Sequence, residues 1–259
     1  MENKIRASFE RVKVDMGEIK FQIKEILERL DSLEKKFKNE KIIAIIPARG
    51  GSKRIPKKNI KLLNEKPLIA YSIEQALASK YIGEIFVSTD DDEIAEISKE
   101  YGAQVIKRPL EISKDKSKTG LAVEHVLENV SSSPEFVVLL QPTSPLRKVE
   151  TIDSAIEYFL KKSIDYDSLI SIKEIKFKKG KISGKEYVQD YKDGTMTQDL
   201  KSSYYETGAV YVYKIFNKTK IKNGKILPFI MQNGAEAIDI DSLEDFKIVE
   251  SIMKERDKN

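Results

Sequence analysis

The amino-acid sequence predicts an α/β protein with a mostly parallel, doubly wound sheet, an antiparallel excursion and an N-terminal coiled-coil helix. Over residues 1–40, apolar residues recur every three or four positions. From residue 41 onward, apolar strand-like segments alternate with amphipathic segments, which is typical of parallel sheets covered by helices. Between residues 168 and 224, short lysine- and tyrosine-rich segments separated by glycine turns indicate antiparallel strands.

Residues 1–40 are predicted to form a coiled-coil oligomerisation helix, and residues 41–259 a separate domain. Four of the five d positions are β-branched, which favours roughly three or four strands over two. An amphipathic helix docked on its own domain is the alternative. The apolar residues occupy the a and d positions of successive heptads: Ile5, Phe9, Val12, Met16, Ile19, Ile23, Ile26, Leu30, Leu33 and Phe37.

The domain from residue 41 begins with a continuous apolar strand, KIIAIIPA, as expected of a strand buried on both faces. The chain is predicted to end with a strand that starts at Ala237 and a capped helix. Further strands are predicted over residues 84–90, 103–109 and 135–142, and helices over residues 68–79, 91–102, 119–130 and 149–162.

Composition excludes several classes of function. The 259 residues contain no cysteine and one histidine, which excludes disulfides, thiolate zinc sites, cysteine nucleophiles and multi-histidine metal sites. The net charge of +4 is too small and too dispersed to indicate nucleic-acid binding. Apolar runs such as Ile42–Ile46 span five residues, whereas a membrane span needs roughly 20. With no signal peptide either, we expect a cytoplasmic protein without membrane partners.

The loop after the first strand is predicted to bind a triphosphate. Ligands of doubly wound sheets bind beyond the carboxyl ends of the strands, where this loop emerges. Gly50, Gly51 and Ser52 offer backbone N–H groups to an anion. The spacing matches neither GxxxxGK[ST] nor GxGxxG, and a solvated basic loop is the alternative. Five cations lie within ten residues, namely Arg49, Lys53, Arg54, Lys57 and Lys58.

Two carboxylates near the C-terminus form a candidate magnesium site. In Ala237-Ile238-Asp239-Ile240-Asp241 the acids alternate with apolar residues, so strand periodicity places both carboxylates on one face. Magnesium binds one or two carboxylates together with phosphate oxygens and water. Asp241 has an alternative role as a helix N-cap in a capping box with Glu244.

Two further features were assigned from the residues alone. Asp90, Asp91 and Asp92 are interpreted as capping the helix that follows them, because negative charge stabilises a helix N-terminus. His125 falls among apolar residues of a predicted helix and is interpreted as structural.

The sequence resembles the CMP-sialic acid synthetase (acylneuraminate cytidylyltransferase) family. The resemblance rests on IIAIIPARGGSKRIPKKNI, STDDDEIAEISKEYGAQVIKRP, LLQPTSPLR, YYETGAVYVYK and AIDIDSLEDF, in the family's order over about residues 41–250. It implies the nucleotide-diphospho-sugar transferase fold. It also implies magnesium-dependent transfer of CMP from CTP to the anomeric hydroxyl of an α-keto acid sugar, with release of pyrophosphate.

The resemblance also implies roles for individual residues. Arg49, Lys53 and Lys58 match phosphate-binding positions, and Asn59 matches a nucleotide-contacting asparagine. Arg49, Lys58 and Asp239 are the expected catalytic residues, and Asp239 and Asp241 the expected metal ligands. The remaining expected contacts are Arg108 and Thr119 to the nucleotide, and Gln141 and Tyr205 to the acceptor sugar.

Departures from the family pattern fall on the acceptor side. The chain has Thr197-Gln198 where the family carries an arginine–glutamine pair, and Thr207 where it carries asparagine. Arg147 either pairs with a substrate anion or anchors its own loop. Three alternatives therefore stay open: another nucleotide such as GTP, a sugar 1-phosphate as substrate, or a non-catalytic oligomeric scaffold.

Deletion of residues 1–40 is expected to lower the oligomer to a dimer and to leave turnover largely unchanged, because members of the family commonly dimerise through the excursion. Light scattering on the full-length and truncated proteins measures the two masses. Equal subunit numbers in both proteins would contradict the coiled-coil prediction.

Overall fold

The computed structural model describes residues 18–26, 42–113, 118–222 and 224–256. The chain divides into two units, Met1–Glu40 and Lys41–Asn259. In the first unit, residues 18–26 are helical, and Ile19, Ile23 and Ile26 each expose more than half of their surface in the single chain. The rest of the predicted coiled coil lies outside the described residues, and the coiled coil stays a prediction.

The second unit alternates strands and helices along the chain. The helices are α1 (Leu68–Ala78), α2 (Asp92–Glu100), α3 (Thr119–Asn129), α4 (Val149–Leu160) and α5 (Leu243–Arg256). The strands are β1 (Ile42–Pro47), β2 (Leu62–Leu63), β3 (Lys66–Pro67), β4 (Glu84–Thr89), β5 (Gln104–Lys107), β6 (Phe136–Leu139), β7 (Ser168–Ile175), β8 (Gly180–Ser183), β9 (Glu186–Gln189), β10 (Ser203–Phe216), β11 (Lys220–Ile221) and β12 (Ile226–Ile230).

The central sheet has the strand order β12-β7-β10-β6-β1-β4-β5, with β11 paired to β10. Strand β1 pairs in parallel with both β4 and β6, and β5 extends the parallel array beyond β4. Strand β10 is antiparallel to β6 and to β7. The predicted fold class, a mostly parallel α/β sheet with antiparallel strands, is confirmed.

Strand β1 is buried on both faces, as its continuous apolar sequence predicts. Ile43 and Ile45 pack against Val123 and Val126 of α3 in one cluster. The alternate residues Ile42, Ala44 and Ile46 face the other side of the sheet and are at most 2% exposed. His125 lies in α3 and is half-buried, in line with its interpretation as a structural residue. No described helix combines the length and the apolar character that a membrane crossing needs.

The predicted antiparallel excursion is largely part of the central sheet. Strands β7 and β10 belong to the central sheet, as does β12, which follows this region. Strands β8 and β9 form a separate two-stranded hairpin. The inner half of β10 reads Ala209-Val210-Tyr211-Val212, and Ala209, Val210 and Val212 are buried at the sheet centre. Apolar burial therefore draws this lysine-rich region into the sheet, which its overall composition conceals.

The strand predicted at Ala237 is wrong. Residues Ala235–Ala237 form a 3-10 turn, and the extended segment that follows pairs with no strand of the sheet. The Ile240 N–H instead donates to the carbonyl of Thr143 at 2.8 Å, and the Ile240 carbonyl accepts from Lys58. A loop and a side chain thus satisfy backbone groups that a neighbouring strand would otherwise pair with.

Candidate active site

A cleft of about 580 Å³ lies where the chain leaves β1, β5 and β6. Most of the residues that the sequence predicts to bind the nucleotide, the metal or the acceptor lie together in this cleft. The polar side chains that line it are Arg49, Ser52, Lys53, Arg54, Lys58, Asn59, Arg108, Lys118, Thr119, Gln141, Thr143, Asp239 and Asp241.

Three predicted site residues are not among the residues that line the cleft. Gly50 and Gly51 belong to the loop but do not line its open space. Tyr205, predicted to contact the acceptor sugar, lies opposite Lys173 in the β7–β10 pair, and its side chain is 41% exposed. In the single chain this tyrosine is therefore partly exposed to solvent and is not part of the lining.

Asn59 fastens the basic loop to the end of β1. Its side-chain amide donates to the Arg49 carbonyl at 2.9 Å, and Asn59 is buried. Asn59 lies in a short 3-10 turn, and Lys57, which precedes this turn, adopts a left-handed backbone conformation with φ 50°. These contacts fix the path of the loop backbone toward Lys58. The cationic side chains of the loop therefore extend from a defined backbone.

Gly50 lies close to the acidic residues that follow β4. The Gly50 N–H donates to Asp90 at 3.1 Å, and its role in binding phosphate stays a prediction. A Cβ at Gly50 would lie 2.5 Å from Oδ2 and 2.9 Å from Cβ of Asp91. Asp91 accepts from the Ile94 N–H at 3.0 Å and caps α2, as interpreted from the sequence.

Arg108 forms a buried positive wall of the cleft. Its guanidinium donates to the Ser88 hydroxyl at 3.1 Å and to the Ser88 carbonyl at 2.7 Å. Burial lowers the pKa of Arg108, and the nearby Asp90 carboxylate opposes that shift. The guanidinium is thus held by neutral oxygens, which leaves its charge available to an anion in the cleft.

Lys58 joins the basic loop to the acidic segment. Its ammonium donates to the Ile240 carbonyl at 2.7 Å and lies 3.9 Å from Oδ1 of Asp241. Burial lowers the pKa of Lys58, whereas Asp239 and Asp241 raise it. The predicted phosphate-binding and metal-binding residues therefore meet at direct contact distance.

Asp239 is the most unusual group in the cleft. Burial raises the pKa of its carboxyl, while a hydrogen bond from Thr143 acts in the opposite direction. Its Oδ1 is buried and has no hydrogen-bond partner within the described structure. A buried carboxylate oxygen without a partner is unfavourable, so this oxygen is suited to a cation that enters with the substrate.

Asp241 does not cap the final helix. The capping box is formed by Ser242 and Asp245: Ser242 accepts from the Asp245 N–H at 3.2 Å, and Asp245 accepts from the Ser242 N–H at 2.7 Å. The alternative assigned to Asp241 and Glu244 is thus wrong by one residue. The Asp241 carboxylate instead pairs with Arg54 at 2.8 Å, at an exposed position beside the cleft.

The two carboxylates fit a divalent cation whose other ligands come from the substrate. Across residues 18–26, 42–113, 118–222 and 224–256, no group of three or more histidines and acids is arranged to hold a metal. Asp239 and Asp241 would therefore supply two oxygens and leave the other positions to phosphate and water, as magnesium sites commonly do.

Sequence reasoning missed three polar residues of the lining. Arg54 was counted among the loop cations but given no site role, and it pairs with Asp241. Thr143 lies in the LLQPTSPLR segment, where its position after the strand end gave a usable signal. Lys118 precedes α3 and had no distinguishing pattern.

Gln141, which is predicted to contact the acceptor, lines the cleft and lies against a bulge in β10. The pairing of β10 with β7 shifts register between Glu206 and Tyr211. Within the bulge, Gly208 has φ +74°, and a Cβ there would lie 2.7 Å from Oε1 of Gln141. Thr207, at the family's asparagine position, shares a 2.8 Å hydrogen bond with the Ser171 hydroxyl in a buried environment.

A parallel α/β sheet with a cationic loop and two acids around one cleft defines the class of nucleotidyltransferase-like proteins. A family model described as cytidylyltransferase matches residues 43–252. The chain therefore belongs to the cytidylyltransferase family.

Three relatives of known name are similar in sequence. A CMP-N,N'-diacetyllegionaminic acid synthase of Legionella pneumophila is 34% identical over 83% of this chain and 97% of its own length. A pseudaminic acid cytidylyltransferase of Campylobacter jejuni is 36% identical over 66% of this chain and 77% of its own length. An N-acylneuraminate cytidylyltransferase of Streptococcus agalactiae is 39% identical over 66% of this chain, which spans 43% of that relative.

Solved structures support the same fold. A CMP:2-keto-3-deoxy-manno-octonic acid synthetase complexed with CTP matches with a TM-score of 0.61 at 15% identity, over 84% of this chain and all of that one. A 4-diphosphocytidyl-2C-methyl-D-erythritol synthase of Anaerococcus prevotii matches with a TM-score of 0.59 at 14% identity, over 83% and 96% of the two chains. At these identities the likeness concerns the fold alone.

Gly50→Ala is expected to destabilise the protein by roughly 1–3 kcal/mol, the usual cost of overpacking, because the new methyl group collides with Asp91. Gly51→Ala is the matched control, since a Cβ there meets nothing within 4 Å. Denaturant unfolding measures both variants. Equal stabilities for the two would show that the contact with Asp91 does not constrain this position.

Asp239→Asn is expected to raise the free energy of unfolding in metal-free buffer at pH 7 by roughly 1 kcal/mol, because it removes a charge from a buried oxygen without a partner. Since burial raises the folded-state pKa of Asp239, the folded state binds more protons than the unfolded state between the two pKa values. Stability is therefore lost as pH rises through that window.

The advantage of Asp239→Asn should accordingly shrink as pH falls below the unfolded pKa of an aspartate. Parallel denaturant titrations of both proteins at acidic and neutral pH provide the measurement. A constant or inverted difference between them would show that Asp239 is not destabilised by its burial.

Proposed function

We propose that this protein transfers CMP from CTP to the anomeric hydroxyl of a sialic-acid-like α-keto acid sugar and releases pyrophosphate. Membership of the cytidylyltransferase family supports the nucleotide. Relatives named for legionaminic, pseudaminic and N-acylneuraminic acids support an acidic nine-carbon sugar as acceptor. The assignment to this chain rests on its own cleft.

The observation that carries the proposal is the contact between the basic loop and the acidic segment. Lys58 touches the backbone of Ile240 and approaches Asp241, so cations and carboxylates share one cavity. A cavity of about 580 Å³ lies within the range of roughly 300–1,000 Å³ that holds small-molecule ligands. A triphosphate with a divalent cation supplies the charges that this arrangement accommodates.

The reaction needs charge neutralisation and alignment more than covalent help from the protein. The anomeric oxygen forms a bond to the α-phosphorus, the bond from that phosphorus to the bridging oxygen breaks, and pyrophosphate departs as the hydroxyl proton is lost. Arg49, Lys53 and Lys58 line the cleft, and in this proposal they bind the triphosphate and stabilise its developing negative charge. Gln141, at the end of β6, is placed to orient the acceptor.

Magnesium is the cation that we propose for Asp239 and Asp241. When bound, it supplies Lewis-acid stabilisation of charge on the phosphate oxygens. The protein's own contribution is to keep the Asp239 carboxylate ready, since its Oδ1 has no protein partner within the described residues. Arg54 forms an ion pair with Asp241, so in this proposal it has to release or share that carboxylate when the cation binds.

Assembly is a separate part of the proposal. We infer that the N-terminal 40 residues hold several copies of the enzyme together, on the basis of their uninterrupted heptad pattern. The lining of the cleft, which includes Arg49, Lys58, Arg108, Thr119 and Asp239, comes from one chain, so in this proposal the assembly is not required for nucleotide binding.

Pyrophosphate release with a matrix of substrates tests the function. Four nucleoside triphosphates are each combined with N-acetylneuraminic, legionaminic, pseudaminic and 3-deoxy-manno-octulosonic acids, with and without Mg²⁺. We expect release with CTP and a nine-carbon sugar in the presence of Mg²⁺. Asp239→Asn should reduce it roughly 100-fold or more, the loss typical when a transition-state charge loses its stabilising group.

Asp165→Asn is the control, because Asp165 is an exposed acid at the end of α4, outside the cleft lining. It should leave turnover unchanged. Release with GTP alone would show that the nucleotide is misassigned. No release from any pair would favour the non-catalytic scaffold.

A further inference from the structure

A buried arginine lies behind the acceptor side of the cleft and is not part of its lining. Arg147 ends the LLQPTSPLR segment and is 2% exposed. Complete burial lowers the pKa of its guanidinium to about 9, with the charge of Glu236 acting in the opposite direction. A buried guanidinium is costly to desolvate, so its hydrogen-bond partners show what it is retained to hold.

Those partners lie on two different elements. The guanidinium donates to the Gln75 side-chain oxygen at 3.1 Å, to the Ser72 hydroxyl at 2.8 Å and to the Ala209 carbonyl. Ser72 and Gln75 lie on α1, whereas Ala209 lies in the bulge of β10, between Glu206 and Tyr211. The rigid planar fork of arginine suits such divergent acceptors, which a lysine ammonium could not serve together.

Arg147 is also connected to Gln141, through the hydroxyl of Ser72. The Ser72 hydroxyl, which accepts from Arg147, donates to the Gln141 carbonyl at 3.2 Å. Gln75 in turn donates to the carbonyls of Pro145 and Arg147 at 2.8 and 2.7 Å, which fixes the loop between Gln141 and Arg147. One side chain is thus connected to the end of β6 and to the bulge of β10.

These two backbone segments are the acceptor side of the site. Gly208 in the bulge packs against Oε1 of Gln141 and against the Asp239 carboxyl: an added Cβ would lie 2.7 Å and 3.8 Å from them. A shift of the bulge therefore displaces the amide that faces the acceptor. In catalysis, a misplacement of about 1 Å can reduce rate roughly 100-fold.

We propose that Arg147, acting with Ser72, is a positioning residue that sets the distance between the Gln141 amide and the Gly208 bulge and so orients the acceptor sugar. The inference rests on the proposed function for its kinetic consequence. Its geometric part, the placement of Gln141, does not depend on which sugar is used. Arg147 itself touches neither substrate.

Ser72→Ala and Arg147→Lys in the full-length protein test the proposal. Ser98→Ala is the control: Ser98 and Ser72 are both fully buried helical serines that donate to a backbone carbonyl, but Ser98 bonds within α2. We expect both test variants to raise the KM for the sugar and to lower kcat, roughly tenfold each or more, with the KM for CTP within twofold of wild type. Ser98→Ala should leave all three constants unchanged.

A readout independent of turnover accompanies the kinetics. The side-chain amide resonance of Gln141 in a ¹⁵N-labelled protein should shift in Ser72→Ala and Arg147→Lys and stay in place in Ser98→Ala. The amide of Asn59, on the nucleotide side, should keep its shift in all three. If Arg147→Lys fails to fold, Ser72→Ala carries the same test.

The outcomes distinguish a positioning role of Arg147 from a purely structural one, and they test this inference separately from the proposed function. If the melting temperatures of the test variants fall while all three kinetic constants and the Gln141 resonance stay unchanged, the role of Arg147 is purely structural and the inference is overturned. Equal increases in the KM of CTP and of the sugar would overturn it too, since the effect would not be confined to the acceptor. A wild-type protein inactive with every sugar would contradict the proposed function, and the Gln141 resonance would still decide the geometric claim.

Discussion

The contact between the Lys58 ammonium and the Ile240 carbonyl is the interaction on which the site depends. It links a loop that follows the first strand to a segment about 180 residues later. The ammonium is partly desolvated, which lowers its pKa, and the two aspartates that keep it charged lie on the segment it contacts. Lys58 in turn partly offsets the cost of burying Asp239. Each half of the cleft therefore stabilises the ionised form of the other.

Behind this contact, buried polar groups hold the backbone that carries the functional side chains. Asn59 binds the Arg49 carbonyl, Asp90 binds the Gly50 N–H, and Arg147 binds the Ala209 carbonyl. None of the three carries a reacting group, yet each satisfies a backbone group that the sheet leaves unpaired, two in the loop after β1 and one in the bulge of β10. Loops built this way can present charges with the precision usually found on helices and strands.

Local patterns in the sequence were sufficient to predict the sheet, the helix cap and most of the side chains that line the cleft. The apolar run of β1 and the cap at Asp91 both depend on neighbours within a few residues. What local patterns do not show depends on distant partners. Strand-like alternation at residues 237–241 does not reveal that Thr143 and Lys58 satisfy the Ile240 backbone, nor does a double glycine reveal that Asp90 occupies its N–H.

The two sides of the cleft are built from separate parts of the sequence, so under the proposed function the acceptor side can differ from the family pattern while the nucleotide side follows it. Residues 49–59 surround the nucleotide side, whereas the acceptor side combines the end of β6 with the bulge of β10. At the family's asparagine position, Thr207 pairs its hydroxyl with Ser171 and lies against Met231, all in a buried environment. A hydroxyl pair is self-sufficient there, whereas an amide would bring further donors that need partners. Under the proposed function, a change at this buried position alters the support of the acceptor side and leaves the residues of the nucleotide side, such as Lys58, in place.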